Sequence, residues 1–103
     1  MRILLDNCTP RTVRHLLPGH EIKTAYQMGW ADWDNGDLIA RAETVFELLI
    51  TTDQSIRYQQ NLKNRRLAIL LIPQAYDLLE AHQDELLAAV NATAPNSYRE
   101  LNW

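Results

Sequence analysis

The sequence predicts an α/β fold, a three-layer sandwich in which helices cover both faces of a central, mainly parallel sheet of about four strands. Two observations lead to this prediction. Short apolar runs alternate with helical patterns along the chain, which is typical of parallel strands joined by right-handed crossovers. Two of the runs are apolar at nearly every position, as strands buried on both faces are. The length of 103 residues is that of one domain, residues 1–103.

The first third of the chain has the pattern of a strand, a helix and a second strand. Residues 3–5 form an apolar run that stops at Asp6. Thr9 then supplies an N-cap and Pro10 begins the first helical turn, and the helical spacing lasts until a Pro-Gly pair ends it. Residues 21–24 alternate as a short strand does. This segment therefore predicts a β-α-β unit.

The rest of the chain predicts two more strands and two more helices. Residues 37–46 keep a helical apolar face over three turns, and residues 47–52 follow as a buried strand. Residues 67–72 have the same apolar character, and residues 74–91 form the pattern of a closing amphipathic helix. Residues 94–103 show no clear period, so their structure stays open.

Composition excludes several classes of protein. Apolar residues make up 47% of the chain and charged residues 22%, with three Gly and four Pro, which is the composition of a globular protein. No apolar run approaches the roughly 20 residues that span a bilayer, and Asp6 interrupts the first run too early for a signal peptide. We therefore expect a cytoplasmic protein without a membrane partner. The net charge of -3 argues against coating nucleic acid with the whole surface.

Acidic residues follow the predicted strands. Asp6 and Asp53 each end an apolar run, while Asp34, Asn35 and Asp37 lie where a loop enters the next helix. In a parallel sheet all these positions meet at the carboxyl edge, where ligands bind. Carboxylates brought together there repel one another, and Mg²⁺ or Mn²⁺ prefers such oxygen ligands. The sequence therefore predicts a metal site formed by Asp6, Asp53, Asp37 and Asp34.

A structural role for the same acids stays open beside the metal site. Aspartate is common at strand-to-helix junctions, where it caps helices and stabilises turns. Asp53 fits a cap of a helix directly after it, and Asp34 with Asp37 fits an arrangement like a capping box. Asp6 departs most from this role, because Thr9 is the better cap for the helix that follows.

Several short motifs of the chain occur together in one protein family. The motifs are Leu4-Leu5-Asp6, Pro10-Arg11, Gly19-His20-Glu21, Met28-Gly29-Trp30, Asn35-Gly36-Asp37-Leu38, Ala42, Thr51-Thr52-Asp53 and Tyr58-Gln59-Gln60-Asn61-Leu62. In these motifs the chain resembles the shortened PIN-like proteins long catalogued as a domain of unknown function. The order and spacing of Asp6, the Asn35-Gly36-Asp37 turn and Asp53 are the most specific part of the match.

The resemblance implies a PIN-like fold and a Mg²⁺- or Mn²⁺-dependent endoribonuclease with Asp6, Asp37 and Asp53 as catalytic residues. It also implies the toxin of a toxin-antitoxin pair, restrained by a small antitoxin protein. The chain departs from the PIN pattern at Asn35, where the nucleases carry a helical acid, and at Asn7, where an acid often follows the first aspartate. The alternative is an inactive PIN-like module that binds protein or RNA.

A basic segment follows Asp53. No acidic residue occurs between residues 54 and 76, and the segment carries four positive charges. Together with neighbouring polar and aromatic side chains, these charges predict contacts with the phosphates and a stacked base of single-stranded RNA. The alternative is a solvated polar helix. The predicted RNA-binding residues are Arg57, Tyr58, Gln59, Asn61, Lys63, Arg65 and Arg66.

The tail after the closing helix carries apolar side chains at a chain end that normally frays. These are Tyr98, Leu101 and Trp103. Three arrangements would cover them: folding back onto the domain, docking on a second copy in a homodimer, or forming part of the surface held by an antitoxin.

Two further patterns admit more than one interpretation. Trp30 and Trp33 lie beside the acidic loop, where they fit either a stacking platform for nucleobases or anchors in the core. Cys8 and Arg14 have the spacing of a cysteine phosphatase loop. However, Pro10 removes a backbone N–H that such a loop needs, which favours Cys8 as a small buried hydrophobic residue.

Overall fold

In a computed structural model of the chain, the described residues form five short strands in one sheet. The structure describes residues 1–58, 65–74 and 76–103. The strands are β1 (Arg2–Leu5), β2 (Glu21–Thr24), β3 (Leu48–Thr51), β4 (Ala68–Leu71) and β5 (Tyr98–Glu100). Their order is β2-β1-β3-β4-β5, and every neighbouring pair is parallel. The predicted central parallel sheet is thus confirmed, with five strands where about four were expected.

Helical segments connect the strands. The α-helices are α1 (Asn35–Ala42) and α2 (Gln83–Asn91), and 3₁₀ helices span Arg11–Leu16, Gln54–Tyr58 and Tyr76–Leu78. Among the described residues, no helix is long and apolar enough to cross a membrane.

Apolar side chains pack against both faces of the sheet. Successive residues of a strand point to opposite faces, and the core divides accordingly. Leu5 and Ile50 pack with α2 and the first 3₁₀ helix on one face. Leu4 and Leu49 pack with α1 on the other. The central strands β1, β3 and β4 are therefore buried on both faces, which gives the three layers that the sequence predicts.

The tail forms the fifth strand. Strand β5 pairs with β4, and the N–H of Leu101 donates to the carbonyl oxygen of Leu71 at 2.9 Å. Leu101 and Trp103 pack against the core, where the Trp103 ring stacks on His82 at 5.1 Å between centroids. Of the three arrangements left open by the sequence, the structure shows the tail folded back onto its own domain.

The predicted N-cap of the first helix is wrong. Pro10 precedes the 3₁₀ helix Arg11–Leu16, and no side chain caps its N-terminus. The hydroxyl of Thr9 lies instead 2.7 Å from Asp6 Oδ1 and 3.1 Å from the carbonyl oxygen of Ile50. The Thr9 side chain therefore serves as a donor to acceptors at the ends of β1 and β3 and does not accept an N–H of the helix.

Two predicted helices are shorter than their apolar patterns. Helix α1 ends at Ala42, and Phe46 reaches the core from a turn in which its N–H donates to the carbonyl of Ala42 at 2.7 Å. The closing helix begins at Gln83 and is preceded by a short 3₁₀ helix and a turn. The turn places Leu79 in the core and leaves Leu78 39% exposed. Spacings of three and four residues occur in both kinds of helix, so periodicity cannot separate them.

Candidate functional site

The carboxylate of Asp6 is buried directly after β1 and is held by three donors. Only 7% of the residue is exposed. Its Oδ1 accepts hydrogen bonds from the N–H of Cys8 at 3.1 Å and from the hydroxyl of Thr9 at 2.7 Å. Its Oδ2 accepts a hydrogen bond from the hydroxyl of Thr51 at the end of β3. The two strands therefore share this carboxylate.

Thr51 links Asp6 to the second acid of the site. Its buried hydroxyl donates to Asp6 and accepts the N–H of Asp53 at 3.0 Å. Asp53 lies two residues beyond the end of β3, and its Oδ1 accepts the N–H of Ser55 at 3.0 Å. This turn leads into the 3₁₀ helix Gln54–Tyr58, so Asp53 also has the turn-forming role that the sequence left open.

The position of this pair follows from the strand order. From β1 the chain crosses outward to β2, then returns past β1 to β3 and continues to the other edge of the sheet. The order therefore reverses between β1 and β3, and the crevice beyond the carboxyl ends of two such strands is where ligands bind in open α/β sheets. Asp6 follows β1 and Asp53 follows β3, so both acids border this crevice.

The surroundings of the two carboxyls shift their pKa values in opposite directions. Burial raises the pKa of Asp6 above its usual value, the hydrogen bonds from Thr51 and Thr9 oppose that rise, and the charge of Asp53 adds to it. The hydrogen bonds that Asp53 accepts from Ser55 lower the pKa of Asp53. Asp53 is thus the readily ionised member of the pair, while the charge of Asp6 depends on its donors.

Both asparagines predicted at the active edge donate hydrogen bonds there. Asn35, the first residue of α1, donates from Nδ2 to Asp53 Oδ2 at 3.2 Å and to the hydroxyl of Ser55 at 3.1 Å. Asn7 donates from Nδ2 to the carbonyl oxygen of Ala31 and so fastens the β1 loop to the loop before α1. The hydrogen bond from Asn35 to Asp53 therefore holds the start of α1 against the acidic pair.

Asp34 and Asp37 lie on the first turn of α1. Asp34 is the N-cap, and its Oδ1 accepts the N–H of Asp37 at 2.8 Å, as the capping interpretation predicts. Asp37 lines an open cavity of about 400 Å³ together with Trp33 and Arg41. Among the described residues, no three His, Cys, Asp or Glu side chains group closely enough to hold a metal ion. Of the four acids predicted to bind a metal, Asp6 and Asp53 are the two that the structure joins, through Thr51.

The two tryptophans near α1 stack on each other. Their ring centroids are 5.4 Å apart with an interplanar angle of 12°. Trp30 is only 8% exposed and meets Phe46 edge to face, whereas Trp33 is 41% exposed. Trp30 is thus the core anchor, and Trp33 covers its outer face while keeping a surface toward solvent.

The cysteine of the loop after β1 does not have the surroundings of a phosphatase nucleophile. Cys8 is exposed, so the prediction of a buried side chain is wrong. Partial burial and the charges of Asp6 and Asp53 raise the pKa of Cys8. Reactive thiols have the opposite shift, because the thiolate is the nucleophile. This setting favours the prediction that Cys8 has no phosphatase role.

The basic segment is divided by ion pairs. Arg57 donates from Nε to Glu100 at 2.5 Å, and Arg65 donates to Glu43 at 3.0 Å. Tyr58 is 80% exposed and Arg66 is exposed. Two of the predicted RNA-binding residues therefore remain open to solvent without an acidic partner within the described ranges. The predicted contacts of Gln59, Asn61 and Lys63 lie outside the described residues.

The sequence interpretation missed the hydroxyls that organise the site. Thr51 and Ser55 flank Asp53 in the chain and contact Asp6 and Asn35 respectively. Hydroxyl residues on both sides of an acid at a strand end are a signal that could have found them, because their short side chains bond nearby groups. The pairing of β1 with β3, which brings Thr51 to Asp6, is not readable from the motif.

The donor set of the pair suits one hard cation. Asp6 and Asp53 offer carboxylate oxygens, and the Nδ2 of Asn35 is directed to Asp53, which leaves its amide oxygen as a further hard ligand atom. Mg²⁺ is commonly bound through one or two carboxylates, with water and substrate phosphate oxygens completing its shell. Protein donors contact both oxygens of each carboxylate. Asp53 is the more available ligand because it is less buried than Asp6.

No protein-family model, curated protein or solved structure matches the chain. The fold described above, a five-stranded parallel sheet with helices, therefore rests on the structure alone. The family resemblance in the sequence motifs stays a prediction.

Proposed function

We propose that the chain is a Mg²⁺- or Mn²⁺-dependent endoribonuclease of PIN-like type, acting as the toxin of a toxin-antitoxin pair. One observation carries the proposal: Thr51 joins Asp6 and Asp53 at the carboxyl ends of β1 and β3, where the strand order reverses. Two acids with opposed pKa shifts at a ligand-binding crevice are the arrangement expected of a reactive site.

The residues of the pair have different roles in this proposal. Asp53 is ionised and accessible, so it is the principal metal ligand, and the amide of Asn35 orients it through Oδ2. Asp6 contributes a second negative charge that Thr51 and Thr9 hold in place. A Mg²⁺ or Mn²⁺ ion held by Asp53 and Asp6 would activate water and neutralise charge at a phosphodiester.

Asp37 and Asp34 are the outer members of the proposed acidic edge. Both lie on the first turn of the helix whose first residue contacts Asp53. Asp34 is committed to the N-cap, so Asp37 is the better candidate for a catalytic contribution once metal and substrate are bound. Its side chain borders the cavity beside Trp33, which offers a partly exposed ring for a base.

RNA and an inhibitor protein are the proposed partners. Tyr58 presents an exposed ring at the end of the 3₁₀ helix that follows Asp53, which suits a contact with single-stranded RNA. Arg66 precedes β4 and lines a cavity with Met1 and Glu47 at the amino ends of the strands, away from Asp53. An antitoxin that blocks such an edge is expected to insert an arginine, because a guanidinium pairs with a carboxylate through two hydrogen bonds. The tail gives no support for a homodimer, since it packs on its own core.

A second candidate is a module with the same fold that binds RNA or protein without hydrolysis. The hydrogen bonds of Asp6 favour it, because all three donors come from the chain itself and tie the loop after β1 to β3. In this case Asp6 is a structural residue, and the crevice binds its partner without a metal.

Metal titration with a matched pair of variants tests the proposal. We expect Mn²⁺ to raise the melting temperature of the parent chain, by linkage equivalent to about 2.7 kcal/mol at a hundredfold excess over the dissociation constant. Asp53→Asn should abolish both this shift and Mn²⁺-dependent cleavage of single-stranded RNA. Glu21→Gln removes an equivalent charge at the amino end of β2 and should change neither.

Two results would decide against the nuclease. If Mn²⁺ leaves the melting temperature of the parent unchanged and no RNA is cleaved, the metal site does not exist. If Asp53→Asn and Glu21→Gln cleave RNA equally, hydrolysis occurs elsewhere. RNA binding without cleavage in the presence of Mn²⁺ supports the binding module instead.

A further inference from the structure

A small cavity opens beside β2 at the same edge of the sheet as the acidic pair. Its volume is about 150 Å³, half the roughly 300 Å³ at which pockets for drug-sized ligands begin. It therefore accommodates one chemical group rather than a whole nucleotide. We name it the Arg11 cavity, after one of its lining residues, which are Arg11, Arg14, Thr24, Tyr26 and Gln27.

Two arginines lie on one side of the Arg11 cavity. A 3₁₀ helix has three residues per turn, so side chains three positions apart lie above one another. The helix Arg11–Leu16 buries Val13 and Leu16, which fixes its rotation and leaves Arg11 and Arg14 exposed. Within the described part of the chain, neither arginine forms an ion pair with an acid. Both guanidinium groups are thus available to an anionic ligand.

Tyr26 forms the other side of the cavity and is 71% exposed. The Arg11 guanidinium carbon lies 6.0 Å from the centroid of its ring, within cation–π range. An exposed aromatic ring next to a guanidinium is the combination on which nucleobases stack in single-stranded nucleic acid binding.

The loop that carries Tyr26 is held by its own hydrogen bonds. The N–H of Thr24 donates to Gln27 Oε1 at 2.9 Å, and the N–H of Gln27 donates to the Thr24 hydroxyl at 3.1 Å. The N–H of Gly29 donates to the carbonyl of Tyr26 at 3.1 Å, and its φ of +77° closes the turn. The ring is therefore positioned before a ligand arrives, which lowers the entropic cost of stacking.

The cavity lies one strand away from the acidic pair. Leu5, the residue before Asp6, pairs with Thr24, which lines the cavity. An acidic edge repels RNA phosphates, so a strand lying across it needs cationic contacts beside it. Arg57, on the other side of Asp53, is already paired with Glu100.

We infer that the Arg11 cavity binds one phosphate of single-stranded RNA, with a neighbouring base stacked on Tyr26. Guanidinium groups match phosphate oxygens with paired hydrogen bonds, and the volume fits one phosphate. Bound in this way, the strand continues past β1 toward Asp6 and Asp53. That last step, and the identity of RNA as the substrate, rest on the function proposed above.

Binding of a labelled, unstructured RNA oligonucleotide by fluorescence anisotropy tests the cavity in chelator, without metal. We expect the double variant Arg11→Ala/Arg14→Ala to weaken binding. Its log-log salt dependence should be shallower by about 0.7, the contribution of the one phosphate contact that is lost. The control is Arg99→Ala, which removes an exposed arginine from β5, the edge strand opposite β2, and should leave affinity and slope unchanged.

Further substitutions, each of which retains either the positive charge or the aromatic ring, distinguish the contribution of charge from that of stacking. Arg11→Lys/Arg14→Lys should retain the salt slope of the parent. Tyr26→Ala should weaken binding about 5- to 100-fold with an unchanged slope, whereas Tyr26→Phe should retain affinity. Because these side chains are exposed, melting temperatures near that of the parent should show that each variant is folded.

The inference is overturned if the parent does not bind RNA in chelator, or if Arg11→Ala/Arg14→Ala binds with the affinity and slope of Arg99→Ala. It is also overturned if a poly-glutamate peptide displaces the RNA at equal charge concentration, since the site then takes acidic chains in general. Failure of the nuclease proposal gives a different result: RNA binding that depends on the two arginines persists, while Mn²⁺ produces no cleavage.

Discussion

The hydroxyl of Thr51 offers the sharpest test of how the fold and the acidic pair depend on each other. Thr51→Val keeps the shape of a fully buried side chain and removes only the group that donates to Asp6 and accepts the N–H of Asp53. We expect this variant to fold and to be less stable than the parent, by an amount that grows as pH rises.

The magnitude follows from the two lost bonds. A hydrogen bond to a charged group contributes about 1.5–3 kcal/mol, and a neutral one about 1 kcal/mol. With Asp6 ionised, the loss at Asp6 and at the N–H of Asp53 together is about 3 kcal/mol at neutral pH. When Asp6 is protonated, its bond with Thr51 is neutral, so the total falls to about 2 kcal/mol.

The direction of the pH effect follows from the pKa of Asp6. Burial raises this pKa in the folded state, so the folded chain holds the proton more tightly than the unfolded one. The stability contribution of Asp6 is therefore complete below the unfolded pKa and is lost as pH rises through the folded pKa. Thr51 is a donor that lowers the folded pKa, so its removal raises that pKa further and steepens the loss.

Urea unfolding followed by tryptophan fluorescence, at neutral pH and at a pH below the usual aspartate pKa of 3.8, measures both quantities. Thr93→Val is the matched control, since its hydroxyl donates to a backbone carbonyl at 3.0 Å and touches no carboxylate. Thr51→Ser should restore most of the loss. A Thr51→Val effect that equals the Thr93→Val effect, or that is the same at both pH values, would refute the role assigned to Thr51.

Two more predictions concern the last strand. Deleting residues 98–103 removes β5 and the packing of Trp103, so we expect a large drop in melting temperature by circular dichroism; an unchanged value would contradict the pairing with β4. Burial and the hydrogen bond to Glu100 raise the pKa of Tyr98 to about 12, so stability should fall as pH rises from the ordinary tyrosine value of 10.0 toward 12. Tyr98→Phe should flatten that fall and Tyr58→Phe should not; equal slopes for the two variants would show that Tyr98 is not its cause.

Much of the sheet could be predicted because its central strands are buried on both faces. Apolar runs such as residues 47–52 and 67–72 are short for helices, and their length is typical of strands buried on both faces. Strand β5 could not be found in this way, since its three residues lie at an edge and are mostly exposed. Its sequence pattern does not distinguish it from a loop, and only its backbone pairing with β4 identifies it as a strand.

The positions of the side chains at the acidic site could be predicted only in part. The carboxyl-edge rule puts Asp6 and Asp53 on one side of the sheet without any coordinates. The same rule does not predict that the carboxylate of Asp34 accepts the N-cap hydrogen bond, because capping and metal binding use the same residue types at the same junctions. The approach of Arg11 to Tyr26 depends on the register of β1 against β2, which no local pattern encodes.

The two outer strands limit how this chain can assemble into larger particles. A parallel sheet ends in two rows of unpaired backbone groups, at β2 and at β5, where another chain could continue it into an open-ended fibre. Both ends are three or four residues long and carry charged side chains: Glu21 and Lys23 on one, Arg99 and Glu100 on the other. Short edge strands with charged side chains disfavour the addition of a strand from another chain. A second copy or an inhibitor is therefore expected to bind across helices and loops, giving closed complexes of fixed size.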